Sequence, residues 1–111
     1  MAERPIIVLG AGGHAKVVID LLQNLGCSVL AALEPEPPAE PRQLLGVPVE
    51  GEEKGLAGHE PDGTDLALGI GMPAADPIKG LAVRRALAAR YEGRGFRFPP
   101  LVHPAAVVGA E

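Results

Sequence analysis

At 111 residues the chain is long enough for one domain with one core. Its composition is globular, 47% apolar and 22% charged, with no tryptophan and few other aromatics, so the core is expected to be Val, Leu, Ile and Ala. The net charge of −4, with acids and bases interspersed, leaves no basic stripe for a nucleic-acid backbone or an anionic membrane surface. Cys27 stands alone, which excludes an intrachain disulfide and a cysteine-based metal site. No signal peptide, transmembrane run or internal repeat is read, and a cytoplasmic protein is expected.

The first element is a short apolar run, Ile6-Ile7-Val8-Leu9, rich in β-branched residues and therefore a buried strand. Gly10, Ala11, Gly12 and Gly13 follow as a turn that can take positive φ and bring backbone close to a ligand. From Gly13 the period becomes helical. Val17, Leu21 and Leu25 share one face, with Val18 and Leu22 beside them, and Gly26 is the expected stop. Strand, glycine turn and helix together aim free N–H groups and a positive dipole end at one spot, where a phosphate or diphosphate can sit. Gly10, Gly12 and Ala15 occupy the three small-residue places of the loose dinucleotide fingerprint. The alternative is a tight β–α turn that binds nothing.

Ser28 to Leu33 reads as a second buried strand, ending at Glu34-Pro35. An acidic residue there is where a dinucleotide fold holds a ribose hydroxyl, so Glu34 is either a sugar-hydroxyl acceptor or a solvated loop carboxylate. The Pro- and Glu-rich stretch from Glu34 to Pro41 reads as an extended loop. Gly46 to Gly51 is a short third strand, with Pro48 favouring an edge position. Glu52 to Leu56 forms a helical turn or two, stopped by Gly58, and His59 falls in an exposed loop. Asp65 to Gly71 is the fourth strand and finishes in glycines. Asp76-Pro77 starts a helix as N-cap and N1 and runs to Tyr91 or Glu92. Ile78, Leu81, Ala82, Ala88 and Ala89 are available for burial, and Lys79, Arg84, Arg85 and Arg90 make a solvated basic face. Phe96 to Val102 is a last strand interrupted by Pro99 and Pro100.

This alternation predicts an α/β fold, Rossmann-like, with a mainly parallel sheet of about four or five strands flanked by helices. With the strands in the order 3-2-1-4, the topological switch falls between the first and fourth. Their ends, Gly10 to Gly13 and Gly69-Ile70-Gly71-Met72, then meet at the crevice where such folds bind ligands. His14, in the first turn of the helix, is expected to hydrogen-bond a substrate oxygen or a backbone group. Lys16 either reaches a phosphate or points to solvent. No catalytic residue and no metal site is read, because no triad order, zinc motif or carboxylate pair is present.

The run Gly10-Ala11-Gly12-Gly13-His14-Ala15-Lys16-Val17-Val18 and the closing Leu101-Val102-His103-Pro104-Ala105-Ala106-Val107-Val108 resemble the N-terminal domain of the sugar O-/N-acyltransferases of the NeuD and PglD type. Arg85 and Leu87 are similar to residues that family places on its last helix. The resemblance implies a Rossmann-like domain, residues 1–102, that binds a nucleotide sugar such as a UDP-4-amino-sugar. It implies that 103–111 opens a left-handed β-helix of hexapeptide repeats, which would trimerise, bind acetyl-CoA and carry the catalytic histidine. The chain ends at Glu111 where those repeats would begin, so this domain alone is expected to bind no acetyl-CoA and to be inactive in acyl transfer. In that picture Gly10 to Gly13 approach the diphosphate or sugar, and His14 lines the site. Glu34 stands where the family usually has Asp near the nucleoside, and Gly69-Ile70-Gly71 closes the crevice. The rival readings are a small regulatory NAD- or CoA-binding module and a spacer domain with a vestigial turn.

Overall fold

The computed structural model describes residues 4–69 and 77–99, with side chains of the last helix from 82 onward. The elements run β1 (Ile6–Leu9), α1 (Gly13–Asn24), β2 (Val29–Glu34), β3 (Gln43–Leu44), β4 (Val47–Gly51), α2 (Glu52–Leu56), β5 (Asp65–Leu68) and α3 (Pro77–Glu92). They form a five-stranded sheet in the order β3-β4-β2-β1-β5, parallel throughout except for the antiparallel β3–β4 pair. The expected order 3-2-1-4 is the parallel part of this sheet, and the fold is Rossmann-like as expected.

β1 is central, and all four of its side chains are buried because both faces of the sheet are covered. Alternation along the strand divides the core in two. Ile6 and Val8 pack with Ala15, Val18, Ile19 and Leu22 of α1 on one face. Ile7 and Leu9 pack with Leu56 of α2, and with Tyr91 and Phe96, on the other. Each fully buried Leu or Ile contributes about 1.5–3 kcal/mol.

Four expectations change. The buried stripe of α1 is Ala15, Val18, Ile19 and Leu22, whereas Val17 is 64% and Leu25 42% exposed. The apolar 17/21/25 row was a competing helical face, and contact of Ala15 with the end of β5 decides the rotation. β4 is not the sheet edge, since β3, a strand absent from the sequence reading, pairs beyond it with Gln43 opposite Pro48. On α3 the inward row is Leu87, Ala88 and Tyr91 with Arg84 half-buried, a spacing of three and four, while Ala82 and Ala89 are exposed. Residues 96–99 form no strand, although Leu66 N–H donates to the Arg97 carbonyl at 2.9 Å, because Pro99 removes a ladder donor. The remainder of that expected strand, Asp76, and the side chains of Ile78, Lys79 and Leu81 lie outside the described residues.

At the opposite end of the sheet from the glycine turn, buried Asp65 accepts from Arg97 Nε and Nη2, each at 3.2 Å, and forms an ion pair with Arg4 Nη2 at 3.0 Å. Arg4 also donates to the Pro61 carbonyl, which ties the N-terminus to the loop ahead of β5.

β3 and β4 are joined by Leu45 and Gly46, with φ of 51° and 83°. Positive φ at both central positions is the type I′ hairpin, which favours Asn-Gly over Leu-Gly. Leu45 is 44% exposed, so little packing offsets its left-handed backbone, worth about 1–2 kcal/mol of strain. Leu45→Asn is therefore expected to raise stability by about 0.5–1.5 kcal/mol, a rise of roughly 2–12 °C in the thermal midpoint measured by calorimetry.

Candidate functional site

The glycine turn sits where β1 ends and α1 begins. Gly10 has φ of 117°, a conformation that favours glycine, and its N–H donates to the Leu33 carbonyl at 2.7 Å. Gly12 is the N-cap of α1 in extended backbone, and no side chain caps the helix. The first-turn N–H groups thus lack intrahelical partners, and Gly12, Gly13, His14 and Lys16 are all exposed around them. Ala11 is buried and supplies a carbonyl rather than a side chain. His14 makes no side-chain hydrogen bond among the described residues.

Gly69, directly after β5, holds this turn in place. Its N–H donates to the Leu9 carbonyl at 2.8 Å, and a Cβ there would lie 2.6 Å from Val8 Cγ1 and 2.9 Å from Ala15 Cα. The start of α1 therefore rests on the end of β5, next to β1. Gly10 to Gly13 and Gly69 are brought together as the spacing suggested. Ile70, Gly71 and Met72, the rest of the expected crevice wall, lie outside the described residues.

Glu34 is placed at the end of β2, and its Oε2 accepts from Arg42 Nη1 at 3.2 Å. Arg42 Nη2 donates to the Ala11 carbonyl at 2.9 Å, so one guanidinium joins the glycine turn to the acidic strand end. The loop between them packs down as well, with Pro37 backbone 2.9 Å from where a Cβ of Gly51 would stand. Sequence reading missed Arg42. Its only signal is a cation in an acidic loop, and its two partners are 8 and 31 positions away.

A cleft of about 620 Å³ opens from Gly10 across the ends of β1 and β2 beneath α3. Leu9, Leu33 and Pro35 form its floor side, and Val83, Ala86 and Leu87 its α3 side, with Glu52 and Arg90 as the charged groups. A second hollow of about 440 Å³ shares Pro35, Glu52 and Arg90 and continues to Arg94. A third hollow, about 670 Å³, lies between the proline-rich loop and β4.

Tyr91, 1% exposed, donates its hydroxyl to Glu52 Oε1 at 2.7 Å. Arg90 and Arg94 each stand 5.3 Å from its ring centroid, and Arg90 is exposed as expected of a solvated face. Burial, and then the Glu52 carboxylate it donates to, push the Tyr91 phenol above its ordinary value, against a smaller opposing pull from the two arginines. His59, expected to be exposed, is half-buried, and its N–H donates to the Leu56 carbonyl at 3.1 Å. Among the described residues no group of three or more His, Cys, Asp or Glu side chains could hold a metal, and no helix is long and apolar enough to cross a membrane.

A mostly parallel α/β sheet with a glycine turn at the N-terminus of its first helix defines a Rossmann-like domain. Residues 5–75 match the family described as the PglD N-terminal domain, and the chain belongs to that family. Its fold is similar to the acetyltransferase domain of PglB from Neisseria gonorrhoeae FA1090, with a TM-score of 0.70 and 28% identity over 92% of this chain. The match covers 45% of that structure, so this chain spans less than half its length. No curated protein matches the chain at a significant level.

Two measurements follow from this geometry. Tyr91 is the only tyrosine and tryptophan is absent, so ultraviolet titration reads Tyr91 alone. Its midpoint is expected above the usual phenol value of about 10. Because the folded value is raised, this contribution to stability is whole below the unfolded phenol's pKa and is lost as pH rises through the folded one. In the second, Gly69→Ala is expected to cost about 1–3 kcal/mol by forcing α1 off the sheet. A Cβ at Gly13 meets nothing within 4 Å, so Gly13→Ala should hold or slightly raise the thermal midpoint.

Proposed function

We propose that this chain is the nucleotide-sugar-binding unit of a sugar acetyltransferase, and that its ligand is a UDP-linked amino sugar. The observation that carries the reading is the uncapped glycine turn at the start of α1, whose first residue, Gly10, lines the cleft. Backbone N–H groups at a helix N-terminus suit a diphosphate, and a partly apolar cleft beside them suits the nucleoside or sugar attached to it. Membership of the PglD N-terminal domain family and the likeness to the acetyltransferase domain of PglB support the assignment to acetyl transfer.

In this reading Gly12, Gly13 and His14 offer backbone N–H groups to the phosphates, and the His14 ring, exposed at the same turn, contacts a ligand oxygen. Lys16 is exposed one turn on and contributes only long-range attraction. Ala11 and Glu34 shape the site through Arg42, which both of them bind. Gly69 sets the distance between α1 and β5, and Ile70, Gly71 and Met72 would extend the crevice wall. The acetyl donor, acetyl-CoA, and any trimeric assembly belong to sequence beyond the Rossmann-like unit. Cytoplasmic location accords with an intracellular nucleotide-sugar pool.

A thermal-shift titration with UDP, a UDP-amino sugar, NAD and coenzyme A tests this. Ligand at a hundred times its dissociation constant stabilises the folded state by about 2.7 kcal/mol, and each kcal/mol moves the midpoint by roughly 4–8 °C in a domain of this size. A rise with the UDP compounds alone is expected, and Gly13→Ala should abolish it while leaving the unliganded midpoint intact. A rise with NAD or coenzyme A alone would replace the reading with a cofactor-binding module.

A further inference from the structure

The acidic residue at the end of β2 is the obvious reader of a nucleoside, yet Glu34 lines neither the cleft at Gly10 nor the hollow that continues it. Its Oε2 is held by Arg42, which lines the separate hollow by the proline-rich loop. Glu52 lines both parts of the continuous cleft, and its side chain is 21% exposed. Its two contacts among the described residues, from the Tyr91 hydroxyl at 2.7 Å and from Arg90 Nη2 at 4.0 Å, both go to Oε1. Oε2 is left without a partner among the described residues, while Tyr91, itself buried, fixes the carboxylate in place.

Position agrees with this chemistry. Glu52 follows β4, two strands from β1 in the sheet, which sets the two strand ends roughly 10 Å apart. A diphosphate seated on the glycine turn would carry its ribose and base across that interval, where Leu9, Leu33 and Pro35 line the cleft. From these observations we infer that Glu52, not Glu34, is the specificity-determining carboxylate, accepting a hydrogen bond on Oε2 from an O–H or N–H of the nucleoside half of the ligand. The inference rests on the nucleotide-sugar reading above. Tyr91 is a positioning residue, acting only through Glu52, and Arg90 bounds the cleft beside it.

The test is isothermal titration of the full chain with UDP, 2′-deoxy-UDP and N3-methyl-UDP, for the wild type, Glu52→Gln and Glu34→Gln. Gln keeps an oxygen acceptor for Tyr91 but presents N–H to a ligand donor, so E52Q should fold normally, with its midpoint checked by thermal melting. It is expected to bind UDP at least tenfold more weakly, with E34Q within threefold of wild type. In the wild type one of the two analogues should bind at least tenfold more weakly than UDP, the deoxy form if a ribose hydroxyl is read and the methyl form if the base imide is. In E52Q that difference should vanish, a coupling that loss of packing would not produce.

Equal binding of all three ligands by the wild type would overturn the inference without recourse to any variant. So would a loss in E34Q with E52Q unchanged, or equal losses in both. These results leave the nucleotide-sugar reading standing. Wild-type protein that binds neither UDP nor a UDP-amino sugar would overturn that reading, and the role of Glu52 with it.

Discussion

The contact on which the arrangement depends is the one between Ala15 and Gly69. Only a residue without Cβ lets the first turn of α1 come down on the end of β5, where a methyl group would collide with both Val8 and Ala15. That contact sets the rotation of α1, which is why Ala15, Val18, Ile19 and Leu22 face the sheet and Val17 does not. It also sets the height of the helix N-terminus over the strand ends. The residues that carry the free N–H groups, Gly12, Gly13 and His14, are thereby left exposed instead of being buried against the sheet.

Around this point the charged groups fall into two separate pairs. Arg42 ties Glu34 to the Ala11 carbonyl on the side of β3 and the proline-rich loop. Because this pair is largely exposed, it contributes little to stability by itself, at most about 1 kcal/mol. Its effect is to commit Glu34 and the turn carbonyl to each other. On the other side Tyr91, a buried residue, joins α3 to the end of β4 through its hydroxyl bond to Glu52. There the low exposure makes the bond worth more, and the carboxylate it orients is the one that faces the cleft.

Core and site share elements but are decided by different residues. Alternation in β1 divides its side chains between two helical layers, and this requires only apolar residues of suitable size. The cleft, by contrast, exists because α3 crosses above the ends of β1 and β2 with Val83, Ala86 and Leu87 on that side. Its polar edge comes from the start of α2 and the later part of α3, segments that carry no motif.

Local sequence determined the strand, glycine turn and first helix, the positions of β2, β4, β5 and α3, and hence the Rossmann-like class. Each of these rests on periodicity or turn chemistry within a few residues, such as Gly10 at φ 117° and Gly26 closing α1 at φ 80°. The same local rules could not choose between two apolar rows on α1, because both have helical spacing and only the approach to Gly69 separates them. Nor could they place the two-residue β3, which forms because Leu45 and Gly46 reverse the chain against β4. The tertiary structure alone paired these side chains, bringing Arg42 to Ala11 across 31 positions and Tyr91 to Glu52 across 39. Such partners are matched by the folded path of the backbone, and nothing in the spacing of the residues along the chain encodes that distance.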